Sequence, residues 1–440
     1  MDYLPASTMV VGPGLHLAHE NKMNTFTTLF LAALAASVLV QLWLDRRQQH
    51  HVAAHRGTVP TEFADSISPE AHRRAADYTV AKVRLAMVEQ LYGAAVLLVW
   101  TLGGGLDLLD RTWRTAGRGP VATGVGVLVS LFLVGGLIEL PFSAWRVFRL
   151  EQKHGFNRST PGLFLADTLK QGVLLVLFGA PLAAVVLWLM GHAGPLWWLY
   201  AWGVWMGFAV LMMWAFPAII APLFNRFSPL EDEALATRIR RLLERCGFQA
   251  EGIFVMDGSR RSSHGNAYFT GVGNHKRIVF FDTLMNQLTP EEIEAVLAHE
   301  LGHFRRHHIR KRFLVMGSTS LLGLGLLGWL MGESWFYQGL GVSEPSLWTA
   351  LALFLLISPV FTLFAQPWMA SFMRRHEFEA DDFAAEQADA GDLIRALVKL
   401  YRENANTLTP DPLYSAFHDS HPPAPVRVQN LTRKLAEGTA

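Results

Sequence analysis

Residues 291–308 read EEIEAVLAHELGHFRRHH. Within them His299 and His303 stand four positions apart, and Glu300 follows the first directly. On a helix that spacing projects both imidazoles from one face. Two imidazole nitrogens so placed can bind one zinc ion, and the neighbouring carboxylate can serve as general base. Zinc lowers the pKa of a bound water to about 7, so this trio specifies attack of water on a carbonyl. A chance match on an amphipathic helix would lack supporting context. Here Thr289 offers an N-cap, Pro290 suits the first helical position, Glu292 completes a capping box, and the small Gly302 lies between the two histidines. Catalytic zinc takes three protein ligands and keeps one position open, so the chain must supply a third.

Two stretches offer it. In RRHEFEADDFAAEQA, Glu377 and Asp381 are four apart and share a helical face, while Glu379 points elsewhere. The bland alternative is a solvated charged helix. In FHDSHPPAPVRVQNL, His418 and His421 are available, and a histidine ahead of Pro-Pro is held in extended backbone. Both kinds of ligand stand at this point. His307 and His308 read most simply as a basic patch beside the membrane. Cys246 is the chain's one cysteine; it cannot build a disulfide framework or a cysteine zinc site, and it reads as a packed helix residue.

The elements that must position these residues are mostly apolar. The chain has 440 residues, 51% hydrophobic and 17% charged, with a net charge of +1. Soluble proteins carry about 25% charge. The near-neutral balance excludes a nucleic-acid binder, which would show a basic surplus. Seven stretches are long enough to span a bilayer, about 20 apolar residues each: Thr25 to Leu44, Leu85 to Leu106, Pro120 to Phe142, Gln171 to Gly191, Leu196 to Leu223, Phe313 to Gly332, and Ser346 to Phe372. The second carries Glu89 and the third Glu139, expected at the interior or at the headgroups. The first is too long, and lies too far from the N-terminus, for a cleaved signal. Lys and Arg collect after the first, third, fifth and seventh spans and are absent after the fourth and sixth. That asymmetry predicts an external N-terminus and a cytoplasmic HELGH segment. The organisation reads as a tail (1–23), five spans (24–225), a polar insert bearing HELGH (226–311), two spans (312–372) and a polar C-terminal region (373–440). The insert reads helix, strands, helix, with PLEDEALATRIRRLLERCGF helical and GIFVMDGS and RIVFFDTLM as strands. GVGNHKR reads as a hairpin turn.

Several longer motifs carry a resemblance: LEQKHGFNRST from Leu150, FPAIIAPLFNRFSPL from Phe216, RSSHGNAYFTG from Arg261, KRIVFFDTLM from Lys276, then HELGH, RRHEFEADDFA and HPPAPVR. In this order, with seven spans, the chain resembles the type I CAAX prenyl proteases, membrane-embedded zinc metalloproteases of the Ste class. The resemblance implies an all-α polytopic membrane protein, seven transmembrane helices enclosing a chamber, with a small α+β zinc metalloprotease domain. It implies one Zn2+ held by His299, His303 and Glu377, with Glu300 as catalytic base. Asp381 would orient a ligand histidine and is named as a proton donor in some relatives, His421 would stabilise the oxyanion, and Arg427 would brace the site. Asn266 and Ala267 would lie on an edge strand that pairs with the substrate backbone. One departure is MRRHEF, where the family reads Ser-Arg before the glutamate; Arg375 could fill that place. The implied substrate is a peptide or protein, prenylated at its C-terminus or, in a host without prenylation, a membrane or misfolded polypeptide. A quality-control protease of the HtpX type is the rival enzyme, with fewer spans. A transporter or lipid-binding protein with an incidental metal site is the rival from another class. The expected setting is a bacterial inner membrane, with the endoplasmic reticulum as the alternative.

Overall fold

The computed structural model describes residues 24–250, 252–272 and 275–438, and the N-terminal tail and the centre of the GVGNHKR turn lie outside them. Seven helical columns are long and apolar enough to cross a membrane: Thr25–Ala54, Pro69–Trp100, Pro120–His154, Pro161–His192, Gly194–Phe224, His308–Leu330 and Leu347–Gln387. All seven expected spans are present, and most of the columns run well past their apolar stretch. The starts are chemically marked. Asn24 caps the first column, Ser68 with Pro69 the second, and Thr160 with Pro161 the fourth. Leu39, Val99, Leu314 and Leu322 project from the columns with well over half their surface exposed, as lipid-facing side chains do.

The bundle is not tightly filled. A cavity of about 1180 Å3 opens between the third and fourth columns, walled by Leu137, Leu140, Leu169 and Val176 and ending on Glu151, Arg261 and His264. A second, of about 760 Å3, adjoins it through Gly136, Glu139 and Ser143. Glu139 therefore faces the interior, and Glu89 is bound by Arg146 at 2.6 Å across the second and third columns.

Between the fifth and sixth columns lies a four-stranded sheet, β1 (Phe227–Pro229), β2 (Gly252–Met256), β3 (Ala267–Val272) and β4 (His275–Phe281), in the order β1-β2-β4-β3. β2 and β4 are parallel, while β1 and β3 pair antiparallel to them, so β3 is an edge strand. Helices Glu233–Arg245 and Pro290–Arg305 pack on it. Their shared core joins Ile239, Leu242, Phe280, Ile293 and Leu301 to Phe383 and Ala384 of the seventh column, with Leu393 and Leu431 from the C-terminal helices. Sheet, HELGH helix and the far end of a membrane helix thus form one hydrophobic unit.

Candidate metal centre

The helix Pro290–Arg305 begins as its sequence expects. The Thr289 side chain accepts from the Glu292 backbone and the Glu292 carboxylate accepts from the Thr289 backbone, a reciprocal capping box with Pro290 inside it. Lys399 reaches the same Glu292 carboxylate at 2.7 Å. The helix carries His299 and His303 on one face, their rings 5.0 Å apart.

Opposite them runs the seventh column. Pro367 has no N–H for the preceding turn, which tightens to a 3-10 turn at Leu363–Ala365, after which helix resumes over Gln366–Gln387. The two helices approach closely at Gly302, where a Cβ would stand only 2.9 Å from the Ala380 Cα. That contact brings Glu377 between the imidazoles. Its Oε2 lies 3.4 Å from His299 Nε2 and its Oε1 3.4 Å from His303 Nε2. The three groups can offer ligand atoms all within 4.8 Å of one another, and among the described residues this is the cluster of His, Cys, Asp or Glu that could hold a metal.

The donor set fits a catalytic metal. Two ligands bonded at about 2.1 Å in a tetrahedron stand about 3.4 Å apart, which is the separation found. Each imidazole keeps its other nitrogen occupied, as metal-bound histidines do. His299 Nδ1 is 2.8 Å from Asp381 Oδ1. His303 Nδ1 is 2.9 Å from Nδ1 of His308, whose Nε2 is 2.9 Å from Glu379. With Nε2 of His303 left for metal, its Nδ1–H donates to His308, and His308 Nε2–H donates to the carboxylate; one tautomer satisfies the chain.

The surrounding charges are organised for the same purpose. Asp381 is fully buried, and Arg427, also buried, donates to both its oxygens. Burial alone would lower the His299 pKa, but the hydrogen bonds to Asp381 and Glu377 outweigh it and lift it to about 9. Burial and the neighbouring His299 bring His303 down to about 3. One imidazole is thus drawn strongly toward a cation while its neighbour refuses a second proton. Burial also pushes the Glu300 carboxyl up.

His421 comes from the other candidate stretch and is mostly exposed, its Nδ1 2.7 Å from Glu377 Oε2. Arg374 donates at 2.7 Å to the Asp419 carbonyl two residues earlier; it, rather than Arg375, reaches this segment. His418 points away, with Nδ1 3.4 Å from the Gln366 amide. Glu379 lies off the ligand face, as expected. Ala267 starts edge strand β3 and pairs with Phe280, and the Asn266 carbonyl accepts from Phe281. Phe269 of β3 packs against Phe304 of the HELGH helix with centroids 4.4 Å apart, so the edge strand lies along the metal helix.

The sequence reading missed His308. Taken as part of a basic patch, it is instead wholly buried, bonded to His303 and stacked on His376 at 4.1 Å. His307, at φ 57°, makes the left-handed turn that folds His308 back. A non-glycine residue there costs roughly 1 kcal/mol, and no sequence periodicity announces it.

Comparison with known proteins places the chain in a family. The family "CAAX prenyl protease N-terminal, five membrane helices" matches residues 48–226, and "Peptidase family M48" matches residues 229–435. The chain is 35% identical to a CAAX prenyl protease 1 homolog of Oryza sativa subsp. japonica, over 89% of this chain and 94% of that one. It is 32% identical to CAAX prenyl protease 1 of Saccharomyces cerevisiae, over 85% and 88%. The crystal structure of S. mikatae Ste24p superposes with a TM-score of 0.86 at 31% identity, covering 92% of this chain and 99% of that one.

Proposed function

We take as premise that this chain belongs to the type I CAAX prenyl protease family, within peptidase family M48, and is an integral membrane metalloendopeptidase; we propose that it cuts polypeptides near a lipidated C-terminus with one zinc ion held by His299, His303 and Glu377. The observation that carries this is the 3.4 Å spacing of the Glu377 oxygens from both imidazole Nε2 atoms. When bound, zinc supplies Lewis acidity to water and to the peptide carbonyl. Glu300 takes the proton of the attacking water and returns it to the leaving amine. His421, beside Glu377, donates to the oxygen that becomes negative. Asp381 and Arg427 hold His299 in the tautomer whose Nε2 faces the site. The edge of β3, from Asn266 and Ala267, pairs with the substrate backbone by strand addition.

The apolar walls of the large cavity between the third and fourth columns suit an isoprenoid or other lipid tail, and its polar end at Arg261 and His264 suits the peptide. The distribution of Lys and Arg supports a site on the cytoplasmic side, and a bacterial cell membrane is the proposed setting. Fit over nearly the whole length of prenyl proteases leaves no support for the HtpX-type or transporter readings.

The test is cleavage of a quenched fluorescent peptide, with and without a farnesyl group, by detergent-purified protein of measured zinc content. Glu300→Gln is expected to lower kcat by about 10²–10⁴-fold with zinc retained. Cleavage independent of Glu300 would refute the assignment, and cleavage indifferent to the lipid would refute the substrate class.

A further inference from the structure

Resting on that proteolytic reading, we propose that Lys82 binds the C-terminal carboxylate of the substrate, in a cavity that also receives His421. Lys82 lies on the second column, Pro69–Trp100, just before its apolar stretch begins at Leu85. Its Nζ sits 4.2 Å from the centroid of the Tyr78 ring. No described carboxylate stands within ion-pair distance of it. The acid whose charge acts on it, Glu151, is already engaged: Tyr78 donates to one oxygen at 2.6 Å, and His264 Nε2 lies 3.4 Å from the other. Among the described residues, Lys82 is thus a half-buried cation without an anion of its own.

The cavity it lines holds about 460 Å3, within the ~300–1,000 Å3 range of small-ligand clefts. Its wall includes His421, Tyr401, Asn406, Tyr414 and Asp419, and among the described residues Lys82 is the one lysine or arginine in it. Asp419 is the acid in that wall; burial pushes its carboxyl up, against the pull of the Ser415 hydroxyl, Arg374 and His421. The contrast with the large cavity is chemical: apolar walls there, mostly polar groups here. Contacts join the two, from Lys82 over Tyr78 to Glu151, which lines the large cavity.

Chain geometry makes the assignment specific. A bond cut within the last four residues leaves the terminal carboxylate at most three residues, roughly 10 Å, from the attacked carbonyl. His421 marks the carbonyl end. A cation across the same cavity is what the other end of such a fragment requires, and a half-buried ammonium rewards a carboxylate far more than a neutral amide. The cavity is then a gauge of distance from chain end to scissile bond.

The experiment compares two farnesylated peptides of one sequence, one ending in a free carboxylate and one in a carboxamide, with wild type, Lys82→Met, Lys82→Gln and Lys82→Arg. Wild type is expected to prefer the acid in kcat/KM by roughly tenfold or more, the worth of one charge-assisted hydrogen bond. The acid-to-amide ratio should fall to about one in Lys82→Met and Lys82→Gln and persist in Lys82→Arg. A wild-type ratio of one, or neutral variants that slow both peptides equally, overturns the proposal. Lys82→Gln decides the matter where Lys82→Met does not fold. Calorimetric binding of an aliphatic tripeptide acid and its amide to the zinc-loaded protein separates this from the reading beneath it. If no peptide is cleaved, the proteolytic reading fails, while acid-selective, Lys82-dependent tripeptide binding still sustains the site. If acid and amide bind alike, the site is refuted whatever is cleaved.

Discussion

Replacing Gly302 with alanine should loosen the metal centre without touching a ligand. The new Cβ would stand 2.9 Å from the Ala380 Cα and 3.0 Å from its carbonyl oxygen, both backbone atoms of the facing helix. Carbon atoms settle at about 3.5–4.0 Å, so the helices must part by about 0.6–1.1 Å. Metal sites tolerate deviations of about 0.2 Å in their bonds. His299 and His303 sit on one helix and Glu377 on the other, so the whole displacement falls across the ligand set. Stability alone would mislead: overpacking costs about 1–3 kcal/mol, while alanine in place of helical glycine returns up to about 1 kcal/mol. Metal affinity is the sharper readout, with an expected loss of tenfold or more, comparable to removing a group that orients a ligand. Zinc competition with a calibrated chelator, on detergent-purified protein, measures it. A Gly302→Ala protein that holds zinc within twofold of wild type and cleaves at the same rate would refute the view that this close approach sets the site.

Other perturbations address the remaining supports. Asp381→Asn should weaken zinc binding about 10–100-fold, because a neutral amide with one acceptor oxygen holds the His299 Nδ1–H less strongly and leaves Arg427 buried without its anion; an unchanged chelator titration would sink this. His308→Phe keeps a ring against His376 but removes the acceptor for His303, so zinc affinity should fall about tenfold with little change in melting temperature; retention of affinity would reduce His308 to packing. Zinc at about 1,000 times its Kd should stabilise the fold by about 4 kcal/mol, so a chelator should lower Tm in wild type and leave Glu377→Ala unmoved. Thr289→Ala should cost about 1 kcal/mol through the lost cap, measured as a lowered Tm with the zinc titration intact.

What the sequence made legible follows from which forces are local. Spans are read from composition because lipid imposes it, and all seven are found. The HELGH helix is read from its cap and its four-residue spacing, both properties of consecutive residues. The third ligand was a different matter. Spacing left the choice open between the acidic cluster at Glu377 and the histidines at His418 and His421, since it depends on where a helix seventy residues away crosses. Family resemblance, not periodicity, selected Glu377, and the structure brings it to the two histidines while His418 turns aside. His308 escaped because its role rests on a left-handed residue at His307, invisible to any pattern of polarity.

The length of the seventh column explains why a hydrolytic centre sits on so apolar a chain. Leu347–Gln387 spans 41 residues, about 60 Å at 1.5 Å per residue, against a hydrocarbon core of about 30 Å. Glu377, thirty residues along, stands about 45 Å from the column's start, so it lies roughly 15 Å beyond the core if the column enters at Leu347 and runs upright. The same column that is buried among the apolar helices at Leu353 and Ile357 therefore carries Glu377 out to where water is available. The HELGH helix docks on that extension through Gly302 and Ala380, not through a loop. A substrate held in the bilayer by a lipid tail meets the water-activating groups at a fixed height above it. Height is then a selection rule: a peptide bond is cut when its distance from its own membrane anchor matches the reach of the helix. Lengthening the linker between lipid and scissile bond by several residues should release that match, and a cleavage rate that ignores linker length would break the argument.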